Sequence, residues 1–198
     1  HDYPKRMAEL GIKCKAFAPI TPFLSTYYNY RDHRKILVID GKTAFTGGIN
    51  FADEYINRRE RFGHWKDSAV MLKGEAVRSF TLMFLQMWNI SEKEPEWDKW
   101  LEPVNSPNCG GFVMPYADCP LDDDKVGENV YIDILNRATS YVHIMTPYLI
   151  IDGELENALK YAAQRGIDVK IILPGIPDKK MAFALAKTHY NELTKAGV

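Results

Sequence analysis

Between residues 35 and 46 a β-branched, apolar run, Lys35-Ile-Leu-Val-Ile39, meets Asp40-Gly41 and resumes as Thr43-Ala-Phe-Thr46. Two strands, 35–39 and 43–46, around a hairpin turn follow from that pattern, because Asp-Gly accepts the left-handed backbone a tight turn demands. Upstream, residues 3–10 read as the tail of a helix stopped by Gly11. Ile12, Cys14 and Ala16 then alternate with Lys13 and Lys15, which predicts a strand over 12–17. Residues 19–31 form a loop rich in Pro and Tyr, 50–59 a short helix and loop, and 67–72 another strand. From 74 to 90 the period lengthens, with Val77, Phe80, Phe84, Met87 and Trp88 at helical spacing, the mark of a helix with a core-facing stripe.

Residues 97–124 break the rhythm with Pro103, Pro107, Pro115, Pro120, Gly110-Gly111 and the acidic run Asp122-Asp123-Asp124. They read as a linker, the acidic run being a solvated turn ahead of a helix, since adjacent carboxylates on a regular element cannot all face one ion. Beyond 128, helix and strand alternate: helix 130–138, strand 141–145, helix 154–165, strand 167–173 and helix 179–195. Asp152 is placed to cap the second of these helices, with Gly166 at its end. The predicted class is therefore α/β, mixed sheets flanked by helices. Strands 12–17, 35–39, 43–46 and 67–72 are expected in one sheet, and 141–145 and 167–173 in a second.

Composition narrows this little. The 198 residues carry a net charge of −1, so no broad basic field points to nucleic acid. Cys14, Cys109 and Cys119 are odd in number and lack metal-ligand spacing, which reads as free thiols in a reducing compartment. No apolar run approaches the ~18 to 20 residues that span a bilayer, and no signal peptide opens the chain. The tail Lys195-Ala196-Gly197-Val198 repeats the pattern of Glu9-Leu10-Gly11-Ile12, so the chain is expected to be a cut through a longer, internally repeated protein.

The chemistry concentrates at His33 and Lys35. Alternation along an extended strand sends both side chains the same way, placing a nucleophile or base beside a fixed positive charge. Asp40 falls on the other parity, at the turn, and suits a structural part. Phosphodiesters resist nucleophiles because their oxygens are anionic, so a site for them needs positive charge on those oxygens and an in-line attacker. His33 as neutral imidazole can attack phosphorus, Lys35 can hold an oxygen, Asn50 can donate its amide, and Gly47-Gly48 let backbone approach closely. No metal is needed, since lysine supplies the charge and no ligand cluster exists. His143 reads as a strand histidine and His189 as a helix-surface one.

The spacing H-x-K-x4-D over His33, Lys35 and Asp40, followed by Gly47-Gly48-Ile49-Asn50, resembles the signature of the phospholipase D superfamily. Asn29-Tyr30-Arg31 before it, and Asp53-Glu54-Tyr55 and Phe62-Gly63-His64-Trp65-Lys66-Asp67 after it, make the series similar to the first catalytic motif of bacterial cardiolipin synthases. That resemblance implies two similar halves, with residues 1–104 the later part of the first, motif included, and 105–198 the early part of the second, cut before its own motif. It also implies that His33 forms a phosphohistidine, that Lys35, Gly48 and Asn50 hold phosphate, and that Asp67 orients the His33 ring. The reaction implied joins two phosphatidylglycerol molecules with release of glycerol, using no cofactor. A second catalytic motif would come from the missing C-terminal part, and membrane segments would lie upstream, leaving the fragment itself soluble and inactive alone. Two rivals stand beside this: a phospholipase D-like nuclease or hydrolase using the same residues, and a noncatalytic interaction domain that keeps one half-motif.

Overall fold

The computed structural model describes residues 2–17, 32–102, 110–118 and 123–198. Its contacts divide into two compact units, His1–Phe51 with Lys66–Asp123, and Ala52–Trp65 with Asp124–Val198. Both are mixed α/β.

The first unit is built on the hairpin. Strands β1 (Ile36–Ile39) and β2 (Thr43–Gly47) pair antiparallel with Leu37 opposite Phe45, and β3 (Ala69–Lys73) adds to the other edge of β2 with Met71 opposite Phe45. Asp40 and Gly41 both have positive φ (54° and 63°), and Lys42 N donates to the Ile39 carbonyl at 3.0 Å, closing the turn. Period-2 alternation puts Ile36, Val38, Ala44 and Leu72 on one face. Against them packs α2 (Val77–Asn89), which contributes fully buried Val77 and nearly buried Phe80. A short helix α1 (Tyr3–Glu9) precedes this and ends at Gly11, whose φ is +75°.

Residues 12–17 do not form the expected strand. They run irregularly, held by one side chain rather than by a ladder: Lys15 Nζ donates to the Trp88 carbonyl at 2.7 Å, lies 4.3 Å from the centre of the Trp88 ring and pairs with Glu92. Alternation alone does not supply a neighbouring strand, and none among the described residues takes up this edge. Two strands also begin later than expected, β1 at Ile36 rather than 35 and β3 at Ala69 rather than 67. His33, Lys35 and Asp67 therefore stand just outside the ladders. The 19–31 loop lies outside the described residues, as do Asn29-Tyr30-Arg31, Cys109, Cys119 and most of the prolines of the linker.

The second unit places α3 (Val126–Arg137), α4 (Gly153–Gln164) and α5 (Lys180–Ala196) with a parallel pair, β4 (Tyr141–Met145) and β5 (Asp168–Ile172), Val142 standing opposite Val169. Leu135, Leu149, Leu159, Ala162, Val169, Ala186 and Leu193 form its core. Asp152 caps α4 as expected, its carboxylate accepting from the amides of Glu154 and Leu155 at 3.1 and 3.0 Å. Gly166 (φ +86°) and Gly197 (φ +99°) close α4 and α5. Helix α3 starts four residues before the predicted 130, running through Gly127; in a first turn glycine leaves no ladder bond unmade, and its cost there is small. Residues 52–65 belong to this unit, with a 3-10 turn at Asp53–Ile56, and Asn57 bracketing the Trp65 main chain at 2.6 and 2.8 Å.

Candidate active site

The hairpin delivers His33 and Lys35 to the open end of the sheet in the first unit, opposite the Asp40 turn. Extended backbone alternates sides even before ladder bonds begin, so the two side chains meet as parity predicts. Lys35 Nζ lies 3.1 and 3.2 Å from the two ring nitrogens of His33 and donates to the His33 carbonyl at 2.8 Å. Both residues line a cleft of about 180 Å³, floored by Gly47 and Gly48 and walled by Phe80 and Met83 from α2. Gly48 stays beside the sheet because its N–H donates to the Ser68 carbonyl at 3.2 Å.

Asp67 approaches the cleft from the chain before β3. Its half-buried carboxylate accepts from the Ser68 amide at 2.9 Å and lies where a side chain on Gly48 would stand. It also acts electrostatically on Lys35. Burial pushes the Lys35 ammonium pKa down, and the negative charges of Asp32 and Asp67 offset this in part, leaving it below the ordinary lysine value.

Two predicted residues are not in this cleft. Asp40 lies at the other end of β1, about 16 Å along the strand from Lys35 at ~3.3 Å per residue, and faces a separate hollow next to Lys42 and Trp100. Its positive φ shows it shaping the turn. Asn50 is half-buried but is not among the cleft's lining residues, because the chain leaves the ladder after Gly48. The geometry thus joins His33, Lys35 and Gly48, sets Asp67 against Gly48, and leaves Asn50 aside.

Sequence reasoning passed over Asp32, Arg34 and Tyr116. Asp32 and Arg34 flank His33 as an ion pair, with Arg34 Nε 2.8 Å from the carboxylate, and Tyr116 lines the cleft. An acidic residue two positions before an arginine was the available signal for the ion pair, though not for its bond to the main chain. For Tyr116, on an irregular segment far along the chain, the sequence held none.

In the second unit His143 lies on β4 with Nε2 3.0 Å from Asp168, and Lys170 binds the same carboxylate at 2.7 Å. His189, on α5, has Nδ1 2.7 Å from Glu156. His143 is the strand histidine expected, whereas His189, expected on a helix surface, has its side chain only 17% exposed and turned to α4. Tyr148 donates to Asp178 at 2.5 Å; burial, then that bond and its charge, push the phenol pKa far above the ordinary tyrosine value. Among the described residues one acidic group, Glu128, Asp152 and Glu154, is close enough to share an ion, and Lys125 already neutralises part of it. No helix among the described residues is long and apolar enough to cross a membrane.

Comparison with known proteins finds relatives of the chain as a whole. Residues 131–198 match the family described as cardiolipin synthase, PLD-like domain. A Streptococcus mutans protein described as uncharacterized is 66% identical over the whole chain, which covers 43% of that protein. A cardiolipin synthase of Alkalihalophilus pseudofirmus is 38% identical over 99% of the chain and 40% of its own length. A cardiolipin synthase of Geobacillus thermodenitrificans is likewise 38% identical over 99% of the chain and 40% of its own length. The chain spans about two fifths of the length of the curated relatives it matches.

Proposed function

We propose, from the likeness of this chain to the phospholipase D superfamily and its cardiolipin synthases, that the complete protein transfers phosphatidyl groups between phosphatidylglycerol molecules, with His33 as nucleophile. The observation that carries this is the pairing of His33 with Lys35 in a cleft floored by two glycines. At about 180 Å³ it is smaller than the ~300 to 1,000 Å³ of drug-sized ligand pockets. That suits a phosphodiester entering from a lipid surface, with the acyl chains left outside.

In this reading a His33 ring nitrogen attacks phosphorus. A P–N bond forms, the P–O bond to glycerol breaks, and the departing alkoxide takes a proton. The hydroxyl of a second phosphatidylglycerol then attacks, its proton passing to the group that protonated glycerol, the P–N bond breaks, and cardiolipin leaves. Lys35 exchanges its contact with the imidazole for a nonbridging oxygen. The glycines keep that corner open, and Asp67 sustains the charge on Lys35. Asn50 donates to phosphate only after the chain beyond Gly48 shifts toward the cleft. The proton for glycerol comes from a second histidine outside these residues, since the full H-x-K-x4-D spacing occurs once in the sequence. Residues 1–104 then belong to one half-site and 105–198 to the start of the other. The complete protein works at the membrane.

The test is transphosphatidylation of labelled phosphatidylglycerol by the complete protein, with nuclease activity measured alongside. Labelled cardiolipin and free glycerol in equal amounts are expected, with no cleavage of DNA. The 198 residues alone are expected to make no cardiolipin. Nuclease activity without lipid transfer would overturn the proposal in favour of the nuclease reading.

A pH prediction follows from the charges around Lys35, namely Asp32, Asp67 and the His33 ring. Lys35 must be protonated to hold phosphate, and burial lowers its pKa, so activity should fall on the alkaline side before an ordinary lysine would titrate. Removing the Asp67 charge takes away one of the two negative charges that raise this pKa. Asp67→Asn should therefore move the alkaline limb of the kcat/KM profile to lower pH, and an unmoved limb would rule out Asp67 as a support for Lys35.

A further inference from the structure

His33 precedes the first ladder residue, Ile36. A nucleophile must nevertheless be held in line with its target, since a displacement of about 1 Å can cost ~10²-fold in rate. Residues 32–35 supply local restraint of that kind themselves. Asp32 Oδ1 accepts from the Arg34 amide at 3.0 Å, bridging across His33. This bond, from a side chain to the main chain two residues on, substitutes for a backbone turn. The same carboxylate is gripped from outside by the Arg34 guanidinium, with Nε at 2.8 Å from Oδ1 and Nη2 at 3.2 Å from Oδ2. Each of the two side chains is 25% exposed, at a surface position of the chain. Burial alone would push the Asp32 carboxyl pKa up, but the bonds from Arg34 and the charges of Arg34 and Lys35 hold it below the usual carboxylate range. On the other side Lys35 Nζ fixes the His33 carbonyl at 2.8 Å.

We propose that Asp32 is a positioning residue that brackets the main chain of His33 between itself and Arg34 and so aims the imidazole into the cleft; this rests on the reading of His33 as the nucleophile. Asp32 acts through its Oδ1 acceptor, which fixes the backbone dihedrals at His33 and with them the Cα–Cβ direction. Its negative charge is secondary, because an uncharged acceptor of the same shape closes the same bracket. Arg34 seats the carboxylate and does not touch the substrate.

The experiment is rapid-quench labelling of the complete protein with phosphatidylglycerol carrying ³²P, reading protein-bound label, together with steady-state kinetics and thermal melting. Asp32→Ala is expected to slow both labelling and kcat by about 10- to 100-fold, with KM within about twofold and the melting temperature little changed. Asp32→Asn keeps Oδ1 and is expected to restore most of the lost rate. Labelling of Asp32→Ala at the wild-type rate would overturn the proposal, and so would an Asp32→Asn variant as slow as the alanine one. Should Asp32→Ala not fold, Asp32→Asn alone still decides: near-normal labelling supports the bracket and a large loss refutes it. His33→Ala distinguishes the premise from the proposal. Label still bound to that variant sinks His33 as nucleophile, whereas normal labelling of Asp32→Ala sinks only the bracket.

Discussion

Replacing His33 by alanine in the complete protein is expected to lower phosphatidyl transfer on the order of 10⁴-fold or more, as loss of a covalent nucleophile does when no neighbour can replace it. Two of the second unit's histidines are already engaged, His143 with Asp168 and His189 with Glu156. Within the cleft the neighbouring group is Lys35, an ammonium when it binds phosphate and therefore not a nucleophile. The fold should be unaffected, because His33 is exposed and precedes the first ladder residue. Both features make the result interpretable. A variant that melts like wild type but transfers no label places the loss in chemistry, while retained transfer with bound label would show the phosphoryl acceptor to be another residue.

The legible part of this protein was the part specified by near neighbours. Asp40-Gly41 announced the hairpin because few other pairs accept two left-handed residues in succession, and the ladder from Ile36 to Thr46 follows from that turn. His33 and Lys35 were placed together by parity alone, although neither proved to lie within a strand. The same reasoning failed at residues 12–17. Six alternating residues look alike whether a strand pairs with them or a lysine anchors them to the end of α2, and the choice depends on contacts more than seventy residues away. Asn50 shows a second limit: a motif fixes spacing, but where the chain turns after Gly48 decides whether its amide reaches the cleft. Asp32 escaped notice for a third reason. Its part is to hold a neighbour's backbone, and the type of residue at one position does not reveal a hydrogen bond two positions on.

Two adjacent glycines, similar in sequence, are expected to answer substitution in opposite ways. A Cβ on Gly47 would run into the Ser68 carbonyl and stand 2.7 Å from the Ala69 Cα, both of them main chain. Since Gly47 pairs with Ala69, relief requires β3 to move away from β2, opening the sheet at the edge that supports the cleft. Gly47→Ala should therefore cost about 3 kcal/mol, at the upper end of typical overpacking, and lower the melting temperature by roughly 6 to 12 °C for a chain of this size. A Cβ on Gly48 meets only the Asp67 carboxylate, whose Cγ would be 3.3 Å away. A side chain can rotate where a strand cannot, so Gly48→Ala should change stability by less than about 1 kcal/mol. The displaced carboxylate no longer supports Lys35, and the alkaline limb of activity should shift to lower pH as it does in Asp67→Asn. Thermal melting and a pH profile on the two variants separate the cases: a Gly47→Ala protein that melts like wild type would refute the backbone clash, and a Gly48→Ala profile identical to wild type would show that Asp67 does not act from beside that glycine.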